Sequence, residues 1–501
     1  MDPPLTEKDK SNTSIKSTKD GSSSKPTSKA GSRAGSAKSS KKGAGDEKKE
    51  NIPPPSNDMK DNPAADMRNM RRIIAEDPDW SLMTVPLLWE ICIQFIVNNF
   101  ENNSDILKDL LSKHKLKVLE RISTDLPLKV TANLIQDEGY WKRCCKARWQ
   151  ICDVSKYGGS WKRMYFERNL QHIIEHFVPE NSDATELNET LPLSANYIKT
   201  LDIKQLLPPV KEAPKGLDAI DDMSDTGSDA GDGPETDHFD FAQVLPKLPN
   251  LEEFRLTYGV KDCGMNFEWN LFQFTQRDCL LLAKTVATCK NLRTFQLHRS
   301  KLDDDKVRVL ISHLLDHPSL TELDLSHNKI DDRGARAVGK LLNGHSQLVS
   351  LNLCDNQIRS AGAQAIAHAL TKNTTLHSLN IRLNRLGDEG GQPICRALLK
   401  NTTLNELNLG SNDLTEPTAA LMAQVVIQNS TLKEVDLSCN RLGPDGGKQL
   451  QEGMEENSTI TKMDLRLTEC GQESEYCINQ ILNRNQETER EMLLNQKNAK
   501  R

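Results

Sequence analysis

His172, Glu175 and His176 form the pattern H-x-x-E-H, in which two imidazoles four residues apart share a helix face and can both reach a zinc ion. The same stretch reads equally as an ordinary amphipathic helix, with Ile173 and Ile174 turned to a core and Pro179 close behind. No third ligand is identifiable, so the bland reading is preferred and no metal is expected. G-x-x-x-x-G-K-[ST], G-x-G-x-x-G and G-x-S-x-G do not occur in the 501 residues. The chain therefore lacks the sequence signs of a phosphate cradle, a dinucleotide site or a nucleophile elbow. The expectation is a chain that is not an enzyme and takes no cofactor.

A second constellation interleaves aromatic and basic residues, in Trp141-Lys-Arg-Cys-Cys-Lys-Ala-Arg-Trp149 and Trp161-Lys-Arg-Met-Tyr-Phe-Glu-Arg168. Residues 140–168 hold eight Lys/Arg against two Asp/Glu. Trp141, Lys142, Arg143, Arg148, Trp161, Lys162 and Arg163 are the candidate patch, suited to a polyanion such as nucleic acid or the acidic surface of a microtubule. The competing reading puts the rings in a core with the basic stems solvated over them, and it is favoured. Nucleic acid is not expected as a partner. Residues 218–240, with nine acids and no Lys/Arg, offer an internal counter-charge for this patch, with Ser224 and Ser228 as possible phosphorylation points.

Those residues sit in a chain of uneven composition. Apolar residues make up 36% and the formal net charge is −6, too mild to argue for a nucleic-acid partner by itself. Residues 1–50 carry twelve Lys/Arg against seven Asp/Glu. Twelve cysteines without a C-x-x-C pair read as reduced thiols in a cytosolic-type compartment. The first residues show no apolar signal core and no apolar run approaches 18, so neither export nor a membrane span is expected.

From Leu248 onward one template repeats, L-x-x-L-x-L-x-x-N-x-L. It is filled by Leu320, Leu323, Leu325, Asn328 and Ile330, then by Leu348, Leu351, Leu353, Asn356 and Ile358, and so on through Leu432, Val435, Leu437, Asn440 and Leu442. Copies start at 292, 320, 348, 376, 404, 432 and 460, each 28 apart, and a degenerate one starts at Leu251. The 41 residues from 251 to 292 imply a 13-residue insertion around Phe267 to Phe274. Leucines two apart on a short strand point to one side, and a lone strand cannot bury them, so the units must stack. The Asn amide is suited to backbone groups where the strand turns away. Asn373-Thr-Thr, Asn401-Thr-Thr, Asn429-Ser-Thr and Asn457-Ser-Thr read as one turn recurring before each strand.

The fold class is therefore α/β, a solenoid of 28-residue strand-helix units resembling leucine-rich repeats of the ribonuclease-inhibitor type. Helices are wider than the strand spacing, so the stack is expected to bend with its strands inside. The expected segments are a disordered Ser/Lys-rich tail (1–64), a mostly helical Trp-rich domain (65–210), an acidic linker (211–243), the repeat domain (244–482) and a charged C-terminal tail (483–501). Residues between the leucines line the inner face: Glu322, Asp324, Asn352, Asn380, Arg382, Glu406, Asn408, Glu434, Asp436 and Asp464, with Ser350, Ser378, Lys462 and Arg466. This acid-leaning polar surface is the candidate partner site.

From about residue 64, the order of a low-complexity lead, the block Leu126-Pro-Leu…Tyr140-Trp-Lys-Arg-Cys-Cys…Trp161-Lys-Arg-Met-Tyr-Phe-Glu-Arg…Val178-Pro-Glu and then the repeats is similar to the T-complex-associated testis-expressed protein 1 family. That family supplies subunit 5 of the axonemal nexin–dynein regulatory complex. The Trp-rich block is the specific part of the likeness. It implies a structural subunit of the link between doublet microtubules in the cytoskeleton of cilia and sperm flagella, where dynein-driven sliding is restrained. The implied partners are other subunits of the complex, other leucine-rich ones included, and doublet microtubules; no membrane partner and no catalytic residue is implied. The alternative is a ubiquitin-ligase adaptor, since Leu126-Pro-Leu with Tyr140-Trp and Trp149 distantly resembles an F-box, although Gln136-Asp-Glu-Gly interrupts its apolar pattern. A GTPase activator using Arg382 or Arg466 is a third and weaker reading.

Overall fold

The computed structural model describes residues 72–73, 83–84, 86–179, 182–208, 238–261, 263, 265, 269–343 and 346–499. The expected tail at 1–64 lies outside them, as do 211–237 of the expected acidic linker, Ser224 and Ser228, and residues 266–268 of the expected insertion. The chain divides into two compact units, Met1–Pro86 and Leu87–Arg501. In the first, strands β1 (Arg72–Ile73) and β2 (Met83–Thr84) pair antiparallel.

The second unit opens with helices α1 (Leu88–Asn98), α2 (Ile106–Asp109), α3 (Ser112–Arg121), α4 (Leu128–Thr131), α5 (Glu138–Arg148), α6 (Trp161–Glu175) and α7 (Thr185–Ser194). Asp137 and Ser160 start α5 and α6 by accepting from the backbone N–H of Tyr140 and Arg163, which satisfies donors that a helix start leaves open. Strand β3 (Thr200–Ile203) follows, and after it β4 (Glu253–Leu256) and α8 (Gln276–Val286). Then come β5 (Thr294–Leu297), α9 (Asp304–Leu314), β6 (Glu322–Asp324), α10 (Asp332–Asn343), β7 (Ser350–Asn352), α11 (Ser360–Leu370), β8 (Ser378–Asn380) and α12 (Gly387–Leu398). The series closes with β9 (Glu406–Asn408), α13 (Glu416–Gln428), β10 (Glu434–Asp436), α14 (Gly443–Glu455), β11 (Lys462–Asp464) and α15 (Gln472–Ala499).

Strands β3 to β11 form one parallel sheet in chain order. The register places Leu323, Leu351, Leu379, Leu407 and Val435 side by side, and all five are buried. Each such side chain contributes about 1.5–3 kcal/mol only because a neighbour covers it. Where helices touch, side chains must be small: a Cβ on Gly390 would lie 2.9 Å from that of Ala363. Gly447 is tighter still, for its Cβ would lie 2.1 Å from the Cys470 carbonyl oxygen.

The Asn ladder does what the template requires. Asn384 donates from Nδ2 to the carbonyls of Leu353, Ile381 and Arg382 and accepts from the Ile358 N–H at Oδ1. Asn328, Asn356 and Asn440 are built alike. The residue before each Asn, and before Ser300 and Thr468 in the flanking copies, turns through the left-handed region: Arg299, His327, Asp355, Leu383, Ser411, Cys439 and Leu467 have φ between 49° and 59°. A second ladder precedes the strands. Asn373, Asn401 and Asn457 each donate to a carbonyl of the preceding unit, Leu342, Leu370 and Val426 respectively, and accept from the N–H two residues on.

Three expected boundaries differ. The helical region does not end as a separate domain at 210, because β3 pairs with β4 as the first strand of the sheet, and Ile198, Leu201, Ile203 and Leu206 are buried in the same core. The expected linker does not reach 243, because Phe239 and Phe241 are buried and Phe241 stacks edge-on against Phe254 at 5.2 Å. Residues 483–499 of the expected charged tail do not begin a separate segment but continue α15. Asn485, 28 residues after Asn457, donates to the carbonyls of Asn457 and Ile460, so the pre-strand ladder continues into this helix and closes the stack. All twelve cysteines are free thiols.

Candidate partner-binding surface

On the face of the sheet away from the leucines, the register builds two rows of side chains. One runs Thr200, Glu253, Thr294, Glu322, Ser350, Ser378, Glu406, Glu434, Lys462. The other runs Asp202, Arg255, Gln296, Asp324, Asn352, Asn380, Asn408, Asp436, Asp464. Nine of the ten expected face residues stand in these rows. The tenth, Arg382, follows β8 and reaches across to Asp436 at 3.4 Å.

The second row has a structural duty. Asp324, Asn352, Asn380, Asn408, Asp436 and Asp464 each accept, through Oδ1, the backbone N–H two residues on. These are Asx turns, and they explain why Asp and Asn recur where each strand ends. The first row carries the variable chemistry. Glu322 and Glu406 are exposed, and Glu434 binds Lys462 at 2.8 Å. Arg466 pairs with Asp464 and holds its carboxyl below the usual carboxylate range.

Charge is segregated along the sheet. Over β8 to β11, a hollow of about 370 Å³ brings Glu406, Glu434, Asp436 and Asp464 together with Lys462 and Arg466. Over β3 to β5, a hollow of about 500 Å³ gathers Lys204, Arg255, Lys261 and Arg299 against Asp202. The acid-leaning reading thus describes the later strands, and at the first three the loops that follow the strands add Lys204, Lys261 and Arg299. The template was carried back only to Leu251, although Ile198, Leu201 and Ile203 fill its first three apolar positions and would have exposed this end.

Much of the basic-aromatic block is built into the helical region. Trp141 is buried and donates from Nε1 to the Ile135 carbonyl. Lys162 is 2% exposed and donates to the carbonyls of Ala132 (2.7 Å) and Ile135 (3.0 Å) and to Gln136 Oε1 (2.9 Å). Its Nζ lies 4.7 Å from the centre of the Tyr197 ring and 5.5 Å from that of Trp141. Arg143 donates to the carbonyls of Leu119 and Ile122 where α3 ends. Arg148 binds Asn169, and Arg163 binds Glu167 at 2.7 Å. Lys142 is exposed, 5.5 Å over the half-buried Trp161 ring. The favoured sequence reading, rings in the core, describes Trp141, but of the five basic residues of the candidate patch four, Arg143, Arg148, Lys162 and Arg163, are bound to groups of the chain itself.

Glu175 ties α6 to the chain after β3. Glu175 Oε1 accepts from the Lys204 N–H at 2.7 Å and from Gln171, and His176 Nδ1 faces the His172 carbonyl. Glu167, eight residues earlier on α6, accepts at Oε1 from the N–H groups of Lys199 (2.8 Å) and Thr200 (3.1 Å). Helix α6 thereby covers the open edge of β3, a row of donors that would otherwise invite another strand. Burial raises the Glu167 carboxyl above its ordinary value. The periodicity of α6 gave no sign of this role. Among the described residues no helix is long and apolar enough to cross a membrane.

Residues 316–339 match the family described as Leucine Rich repeat, and residues 336–488 the family described as TMOD/LMOD Leucine-rich domain. A human protein named "Dynein regulatory complex subunit 5" is 52% identical over 274 residues, 54% of this chain and 54% of its own length. The protein of that name from Chlamydomonas reinhardtii is 35% identical over 223 residues, 44% of this chain and 50% of its own. A solved structure of leiomodin-1 actin-binding site 2 aligns with 34% of the chain and 97% of its own, at 20% identity and a TM-score of 0.31. The chain spans about half the length of the curated relatives it matches. It is a leucine-rich-repeat solenoid behind a helical region, and over half its length it is similar to proteins named dynein regulatory complex subunit 5.

Proposed function

We propose that the chain is a non-catalytic structural and scaffolding subunit of the nexin–dynein regulatory complex, linking doublet microtubules and regulating dynein-driven sliding in motile cilia and sperm flagella. The observation that carries the reading is the 52% identity over 274 residues to the human subunit 5. The geometry is consistent with it. Nine strands fixed by two Asn ladders hold a broad polar face that needs no rearrangement to receive a partner. The partners are other subunits of the complex, leucine-rich ones among them, with the axonemal cytoskeleton as the place. The open sheet face receives them through Glu322, Asp324, Glu406, Glu434 and the residues between. Direct contact with doublet microtubules through residues 140–168 is not favoured, because four of the eight cations there, Arg143, Arg148, Lys162 and Arg163, are held by groups of the chain itself. Neither the fold nor the comparisons adds support to the ubiquitin-ligase adaptor.

Affinity purification of the tagged chain from ciliated cells tests the proposal. Other regulatory-complex subunits should be recovered in near-equal amounts. Recovery of the cullin adaptor without them would contradict it.

A further inference from the structure

The opposite, helical side of the stack carries a groove of about 790 Å³ between α9 and α10. Val309 on α9 and Leu315 just after it contribute half-buried apolar surface, with the buried Ala337 of α10 at the floor. The rims are basic: Arg308 on α9 and Arg333, Arg336 and Lys340 on α10, against one carboxylate, Asp305. Asp305 is shared by Arg308 at 3.4 Å and Arg333 at 3.3 Å, all three well exposed, while Arg336 and Lys340 face solvent. Residues 333, 336 and 340 make one stripe of α10 about 10 Å long, from a rise of about 1.5 Å per residue.

The repeat lattice supplies its own control. A residue the fold needs recurs every 28 positions, as the leucines and asparagines do. This triplet does not recur. Its first position becomes Ala361, Glu389, Pro417 and Asp445 in the next four helices, and the triplet after it is Ala361, Gln364, His368. Folding therefore does not require these cations.

We infer that this groove docks an acidic amphipathic helix of another protein. Carboxylates at i, i+3 and i+7 of that helix face Arg333, Arg336 and Lys340, and its apolar stripe covers Val309 and Leu315. Charge complementarity and the helical spacing of the cations select this occupant. The inference deepens the scaffold reading by giving the stack a second surface away from the open sheet face. Its assay reads the groove alone, so it fails separately from membership of the complex.

The test uses the full chain and a fluorescein-labelled synthetic peptide with Glu at i, i+3 and i+7 flanking a leucine stripe on the same side, followed by anisotropy. Saturable binding that weakens with salt is expected. The triple variant Arg333→Glu, Arg336→Glu, Lys340→Glu should lose at least tenfold in affinity. The variant Gln364→Glu, His368→Glu on the next helix should bind as the parent does, and circular dichroism should show both folded. Unchanged binding by the triple variant would overturn the inference. So would equal binding of a peptide with the same composition in scrambled order, or no saturation below about 100 µM. Self-association of the parent that the triple variant lacks, seen by sedimentation velocity, would place a second copy in the groove and overturn it too.

Discussion

Glu167 on α6 holds the backbone of Thr200 on β3, its Oε1 accepting the Thr200 N–H at 3.1 Å and that of Lys199 at 2.8 Å. One buried carboxylate thus joins the helical region to the first strand of the sheet. Removing it leaves buried N–H groups and Arg163 without their acceptor. Glu167→Ala should cost about 2–3 kcal/mol in denaturant melts, and limited proteolysis should then cut first around 195–208.

The same group gives a pH dependence. Burial raises the folded-state carboxyl of Glu167 above its unfolded value, so the folded chain binds more protons between the two. Its contribution is fully present below the ordinary carboxylate value and is lost as pH rises through the raised one. The stability of the parent relative to Glu167→Gln should therefore increase as pH is lowered from neutral toward the ordinary carboxylate range. A difference that stays flat across that range would show that the shift is absent.

Lys142 on α5 and Lys162 on α6 differ in role. Lys162 fills three acceptors under aromatic rings, so Lys162→Met should cost about 3 kcal/mol by orphaning buried acceptors. Exposed Lys142→Met should stay within about 0.5 kcal/mol. Binding of polyanions should change little with Lys142→Met alone, which a microtubule-binding patch at this block would not tolerate.

The two kinds of Asn are separable by thermal melts. Asn384→Ala removes a buried amide that serves four backbone groups and should cost at least about 2 kcal/mol. Asn352→Ala removes one half-exposed Asx turn and should cost under about 1 kcal/mol.

Backbone and close contact give a pair of opposite sign. Leu383 is exposed at φ 58°, where a branched side chain is strained by about 1–2 kcal/mol, so Leu383→Gly should raise Tm. Gly447→Ala forces a methyl toward the Cys470 carbonyl and should lower it by about 1–3 kcal/mol equivalent.

Leu351 and Asn356 were legible in the sequence because the lattice repeats them, and repetition is what a stack of identical units must impose. The sheet face was legible for the same reason, since positions between buried leucines have only one other side to face. Lys162 was not, because a basic residue reads as solvated unless its three acceptors, 26 to 30 residues earlier, are known. Strand β3 escaped notice because 53 residues separate Ile198 from Leu251 and hide the period. The Arg333, Arg336, Lys340 groove escaped because a helix read alone shows a solvated stripe, and only its neighbour α9 makes it a groove.

Lysine cross-linking with mass spectrometry on isolated axonemes tests the scaffold account most directly. Lys462, exposed at the sheet face, should link to one subunit of the regulatory complex, and Lys340 in the helical groove to a different polypeptide. Cross-links from these lysines confined to the chain itself, or made only to proteins outside the complex, would contradict a part whose two sides hold companions.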